Sequence, residues 1–176
     1  MKPLAIVPAC ALAFVASAVT SAGAAEIRYF PVERGAGPHD VAPAPDGKVW
    51  YTAQQQGALG RLDPRTGRTE QIPLGRDSAP HGVVVGPDGA AWVTDSGLNA
   101  IVRVDSQTRA VRAFPLPTGR GDVNLNTAVF DRRGQLWFTG QSGVYGRLDP
   151  RTGEMQVWDA PRGKGPYVGG GDRMPP

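Results

Sequence analysis

The sequence predicts an all-β protein, a β-propeller of four-stranded blades, and three observations carry the prediction. The octet "GRLDPRTG" stands at Gly60–Gly67 and recurs letter for letter at Gly146–Gly153. Three tryptophans, Trp50, Trp92 and Trp137, fall at near-equal intervals inside words that align with one another. Glycine and proline, 24 and 17 of 176 residues, are too frequent for a helical chain, and no stretch sustains a helical apolar period. A repeat of about 42–46 residues holding four strand-sized segments is the mark of a propeller blade, whereas a β-sandwich needs no internal self-similarity.

Residues 1–25 read as a secretory signal peptide: Lys2, an apolar stretch from Leu4, then small residues up to Ala24 and Ala25. Pro8 interrupts the stretch, which disfavours a membrane anchor, and much of it follows Cys10, which disfavours a lipoprotein. Cleavage would remove the single cysteine, so no disulfide is expected in a secreted or periplasmic product, and no membrane span remains. A net charge of +3 without a basic run gives nucleic-acid binding no support.

The partial propeller is expected over 26–168. "IRYFPV" (Ile27–Val32) matches the outer strand of a blade whose other strands lie elsewhere. Three full blades follow at about 38–74, 80–116 and 125–161. In each, the first strand carries Val41, Val83–Val85 or Ala128–Phe130, and a Pro-Asp-Gly turn follows in the first two. The second strand carries the tryptophan, expected as inter-blade core. The third ends in "RLD" or "RVD", and "DPRTG" turns the chain into the fourth. In that turn Asp63 and Asp149 can accept backbone N–H groups, and Gly67 and Gly153 tolerate a left-handed conformation. Gly163–Gly170 is expected to start a fourth blade, with an irregular tail over 169–176. Three blades and a stub fall short of the roughly 4–8 that close a ring. Open blade faces suited to self-association are therefore expected.

One repeat position holds four different side chains: His39, His81, Asn126 and Tyr167. For His39 and His81 the default reading at a repeat position is a scaffold role, with each imidazole bonding the neighbouring blade's backbone. A ligand-binding rim is the other reading, and the variety of the four side chains is its hint, because a pure scaffold position has less reason to vary. Asp95 reads either as a solvated strand end or as an acid of that site. Arg61, Arg103 and Arg147 recur at one position and are expected as surface or inter-blade charges rather than substrate clamps.

"PHGVVVGPDGAAWVTD", "IVRVD", "FPLPT", "NTAVFD", "LWFTGQSGVYGRLDP" and "DAPRGKGPY" resemble the streptogramin lyases (virginiamycin B lyase-like proteins) over about Ile27 to Val168. The resemblance implies a seven-bladed propeller at full length, which linearises cyclic streptogramin B antibiotics by elimination across an ester with Mg²⁺. Such chemistry needs a base beside a carbonyl and a cation for the developing charge. Carried over by position, the resemblance makes His81 the catalytic histidine and Asp95 a metal ligand, with Ala79 in place of the first acid. His39 keeps the histidine but has Gly37 and Ala53 for the acids. Asn126 replaces the histidine, with Asn124 and Gly140 for the acids. No blade holds the whole set. The expectation is a lyase-like propeller acting on a cyclic peptide or lactone, with its site incomplete in these blades. His39, Asn126 and Tyr167 are the expected substrate-binding residues, and the alternative function is a non-catalytic propeller of the cell envelope that binds a ligand or protein.

Overall fold

A computed structural model describes residues 26–164; the segment expected to be a signal peptide, Tyr167, most of the expected fourth-blade start and the expected irregular tail lie outside the described residues. Among the described residues twelve strands form three four-stranded sheets, each an antiparallel meander. The first blade comprises β1 (Pro38–Pro43), β2 (Val49–Ala53), β3 (Ala58–Asp63) and β4 (Arg68–Pro73). In the second are β5 (Pro80–Val85), β6 (Ala91–Asp95), β7 (Ala100–Val104) and β8 (Val111–Pro115). The third holds β9 (Leu125–Phe130), β10 (Leu136–Gly140), β11 (Val144–Leu148) and β12 (Met155–Asp159). A single 3-10 turn, Gln54–Gln56, is the one helical element among the described residues. No helix among them is long and apolar enough to cross a membrane.

The blades stack face to face, with β1 against β5 and β5 against β9. Middle strands are therefore covered on both faces. All five residues of β6 are buried, whereas β4 and β8 at the outer edge bury little beyond Ile72 and Phe114. Trp50 packs with Val83, Val93 and Val102 between the first two blades, and Trp92 with Leu136, Phe138 and Phe114 between the next two. Both rings are essentially inaccessible, as expected for inter-blade core. Trp137 points away from the second blade and stacks on Trp158 of its own sheet, ring centroids 6.1 Å apart.

The repeated octet has a packing explanation at its first residue. Gly60 pairs with Tyr51 and Gly146 with Phe138 across the ladder, and a Cβ on either glycine would enter the aromatic ring. Where blade two has Val93 instead of an aromatic, its partner is Val102 rather than glycine. The arginine of the octet lies over the tryptophan of its blade. Arg61, Arg103 and Arg147 stand 4.8, 5.9 and 5.8 Å from the rings of Trp50, Trp92 and Trp137. Arg61 is also inter-blade: it pairs with Asp46 and donates to the Ser106 carbonyl at 3.1 Å.

The turn behaves as its sequence requires. Asp63 and Asp149 each accept the N–H two residues on at 2.9 Å, and Gly67 and Gly153 take φ of 73° and 78°. In blade two Arg109 occupies the glycine position at φ 65°, and its guanidinium grips Glu70 of the first blade at 2.8 and 3.0 Å. That inter-blade fork offsets the strain of a left-handed non-glycine residue.

One expectation fails. Ile27–Val32 is not a strand, because no described sheet offers it a ladder partner. Ile27 and Tyr29 are 76% and 89% exposed, while Val32 and Ala36 lie on the first blade against Tyr51, Ala53 and Ala58. The sheets do not close into a ring among the described residues. Val41 on the outermost face of blade one is 61% exposed, and its counterpart Val83, covered by that blade, is 4% exposed.

Candidate functional site

The rim position lies near the start of the innermost strand of each blade, at the end opposite the "DPRTG" turns. Here each innermost strand is irregular: the register shifts between Pro38 and Val41, between Pro80 and Gly82, and opposite the Phe138–Gly140 step. A shift of this kind re-aims side chains and releases a backbone N–H from the ladder.

His39, His81 and Asn126 are brought together along adjacent innermost strands. The rings of His39 and His81 lie 3.9 Å apart at 44°. His39 is exposed, and His81 and Asn126 are half-buried. Burial, and then the His39 imidazole beside it, hold His81 below the ordinary imidazole range; the Asn126 backbone carbonyl and the Asp40 carboxylate pull the other way. His81 is thus neutral at pH 7, with a ring nitrogen able to accept a proton or a hydrogen bond. Asn126 adds an amide with both donor and acceptor. Tyr167, the fourth expected member, lies outside the described residues.

Asp95 is placed differently. It is wholly buried, and its two oxygens accept three hydrogen bonds, from Ser78 Oγ at 2.5 Å, Ala79 N at 2.9 Å and Leu98 N at 3.0 Å. These bonds tie the β4–β5 connection to the β6–β7 turn, so most of its acceptor capacity is spent on the scaffold. Ala79 offers no carboxylate beside it. Among the described residues no three His, Cys, Asp or Glu side chains gather as a metal-binding group. The described residues therefore do not fit Mg²⁺, a hard cation that needs carboxylate oxygens facing an open position.

Sequence reasoning missed Asp40 and the threonines beneath the rim. Asp40 Oδ2 accepts the N–H of Val83 at 3.0 Å, joining blades one and two directly. Thr52 and Thr94 are both fully buried and bond the rim backbone. Their signal was in the text, since "WYT", "WVT" and "WFT" place a threonine two residues after every blade tryptophan.

Comparison with known proteins agrees with this architecture. A catalytically inactive variant of virginiamycin B lyase from Staphylococcus aureus, solved with quinupristin, superposes with a TM-score of 0.67 at 27% identity; the match covers 73% of this chain and 43% of that one. A streptogramin B lyase structure matches with a TM-score of 0.65 at 27% identity, over 75% of this chain and 44% of that one. A gluconolactonase from Xanthomonas campestris shares the fold, with a TM-score of 0.57 at 15% identity over 68% of this chain and 46% of that one. The chain thus spans less than half the length of these structures. No curated relative matches it. The sequence profile of the virginiamycin B lyase family matches residues 15–170. By that match across nearly its whole length, the chain belongs to the virginiamycin B lyase family.

Proposed function

We propose that these blades supply the ligand-holding part of a lyase-type propeller, and that the ligand is a cyclic depsipeptide or lactone held at the His39–His81–Asn126 rim. The observation that carries the reading is the pairing of a neutral, half-buried His81 with a second imidazole 3.9 Å away, on adjacent innermost strands. A neutral imidazole and a primary amide are suited to an ester flanked by amides, because both can accept or donate without a net charge to desolvate. Family membership and the quinupristin bound to the Staphylococcus aureus relative support the ligand class.

The same reading separates holding from turnover. Elimination requires a base together with stabilisation of the carbonyl's developing charge. Among the described residues only the imidazole is available, because both nearby carboxylates are committed, Asp95 to Ser78, Ala79 and Leu98 and Asp40 to the backbone N–H groups of Val41 and Val83. On this proposal the chain binds without linearising, and it acts outside the cytoplasm after losing its first 25 residues. Titration calorimetry with quinupristin tests the binding. Wild type should bind, and His81→Ala should weaken binding by about tenfold or more, a loss of about 1.4 kcal/mol. Unchanged affinity in His81→Ala would refute the rim. Formation of a linear product with Mg²⁺, seen by mass spectrometry and stopped by EDTA, would refute the separation of binding from turnover.

A further inference from the structure

Each blade repeats one buried hydroxyl, at Thr52, Thr94 and Thr139. Thr52 Oγ1 accepts the N–H of Asp40 in its own blade at 2.9 Å and donates to the carbonyl of His81 in the next blade at 3.0 Å. Thr94 Oγ1 accepts the N–H of Gly82 at 2.9 Å and donates to the carbonyl of Asn126 in the third blade. In both cases the donated bond ends on the rim residue itself. A hydroxyl has one proton and two lone pairs, so each threonine links its own innermost strand to the following one with a defined direction. The N–H it accepts comes from the stretch where the ladder shifts register.

We propose that Thr52 and Thr94 are positioning residues, which set the location of the His81 and Asn126 side chains by holding their backbone carbonyls across the blade seams. The contact between His39 and His81 depends on how far β5 stands from β1 at that point, and the Thr52 bond bridges that gap. The two seams are supported by different companion bonds. Between blades one and two the Asp40–Val83 bond at 3.0 Å runs beside the Thr52 link. Between blades two and three the position of Asp40 is taken by Gly82, and the companion bond is Ser96 Oγ to the Leu125 carbonyl at 2.8 Å. Thr139 repeats the residue and meets Thr127 Oγ1 of its own blade at 3.2 Å.

Threonine-to-valine keeps the shape and deletes the hydroxyl, and threonine-to-serine restores it. The primary readout is the titration of the His81 ring proton followed by NMR in the folded chain. In Thr52→Val the midpoint should rise towards the ordinary imidazole range, as the ring leaves its buried place beside His39. Thr52→Ser and Thr139→Val should titrate like wild type. A purely structural threonine would lower the melting temperature in Thr52→Val and leave the His81 midpoint where it was, and that result would overturn the proposal. Should Thr52→Val not fold, Thr94→Val read through the Asn126 side-chain amide signals serves instead: displaced signals support the proposal and unmoved ones overturn it. The effect on ligand rests on the function proposed above, with quinupristin affinity expected to fall about tenfold in Thr52→Val. A moved titration with unchanged affinity would support the positioning role and count against the ligand reading.

Discussion

The two ends of the same strands obey different rules. At the turn end, Asp63, Asp105 and Asp149 each satisfy nearby backbone N–H groups from one carboxylate oxygen at 2.9 Å, and the words around the first and last are identical. At the rim end the corresponding position changes from histidine to histidine to asparagine, and what recurs is the buried threonine below it. The constant residues close turns and fill seams. The varied ones stand on that constant frame and face outward. In a repeat protein, then, identity between copies locates scaffold, and divergence at a supported position locates the candidate site.

The comparison can be broken most severely in the seams that hold both ends together. Trp92→Ala removes a fully buried indole between blades two and three and should cost about 3–5 kcal/mol, read from urea unfolding. It should disturb the Asn126 end and the turn end alike. Gly146→Ala forces the Phe138 ring out of its place and should cost about 1–3 kcal/mol. The same change at Gly89, in the β5–β6 turn at φ 74° with open space around a Cβ, tests backbone strain rather than ring contact.

Acid sharpens the contrast. Backbone N–H groups of Thr108 and Gln107 hold the Asp105 carboxyl down at about 2. Its contribution is complete above the unfolded value of about 3.9 and is lost as pH falls through about 2. The difference in melting temperature between wild type and Asp105→Asn should therefore be largest near neutrality and vanish towards pH 2. At the rim the relevant range is higher. His81 is held below the ordinary imidazole value, so its neutral form favours the folded state above about pH 6.5 and that contribution fades as pH drops below it. His81→Ala should change stability at pH 7 by no more than about 0.5 kcal/mol, the smallest effect here, yet flatten the decline between pH 7 and 5.

Much of the fold was legible because each blade had to repeat its own chemistry. The tryptophans, the Pro-Asp-Gly turns and "DPRTG" are local signals, and local signals survive without coordinates. The rim was legible only as a list of variable residues. That His39 and His81 touch depends on how two blades meet, which no single repeat encodes. Asp95 misled because its position matches an acid of the family, while its oxygens answer to Ser78, Ala79 and Leu98, whose proximity is a matter of loop geometry. Ile27–Val32 misled because a strand-like sequence becomes a strand only beside a partner.

The most direct test of the account maps quinupristin onto the chain by NMR. Backbone and side-chain signals of His39, His81 and Asn126 should shift on titration, while those of Asp63, Asp105 and Asp149 stay in place. Shifts concentrated at the turn end, or none at the rim at saturating ligand, would contradict the assignment of binding to the varied end.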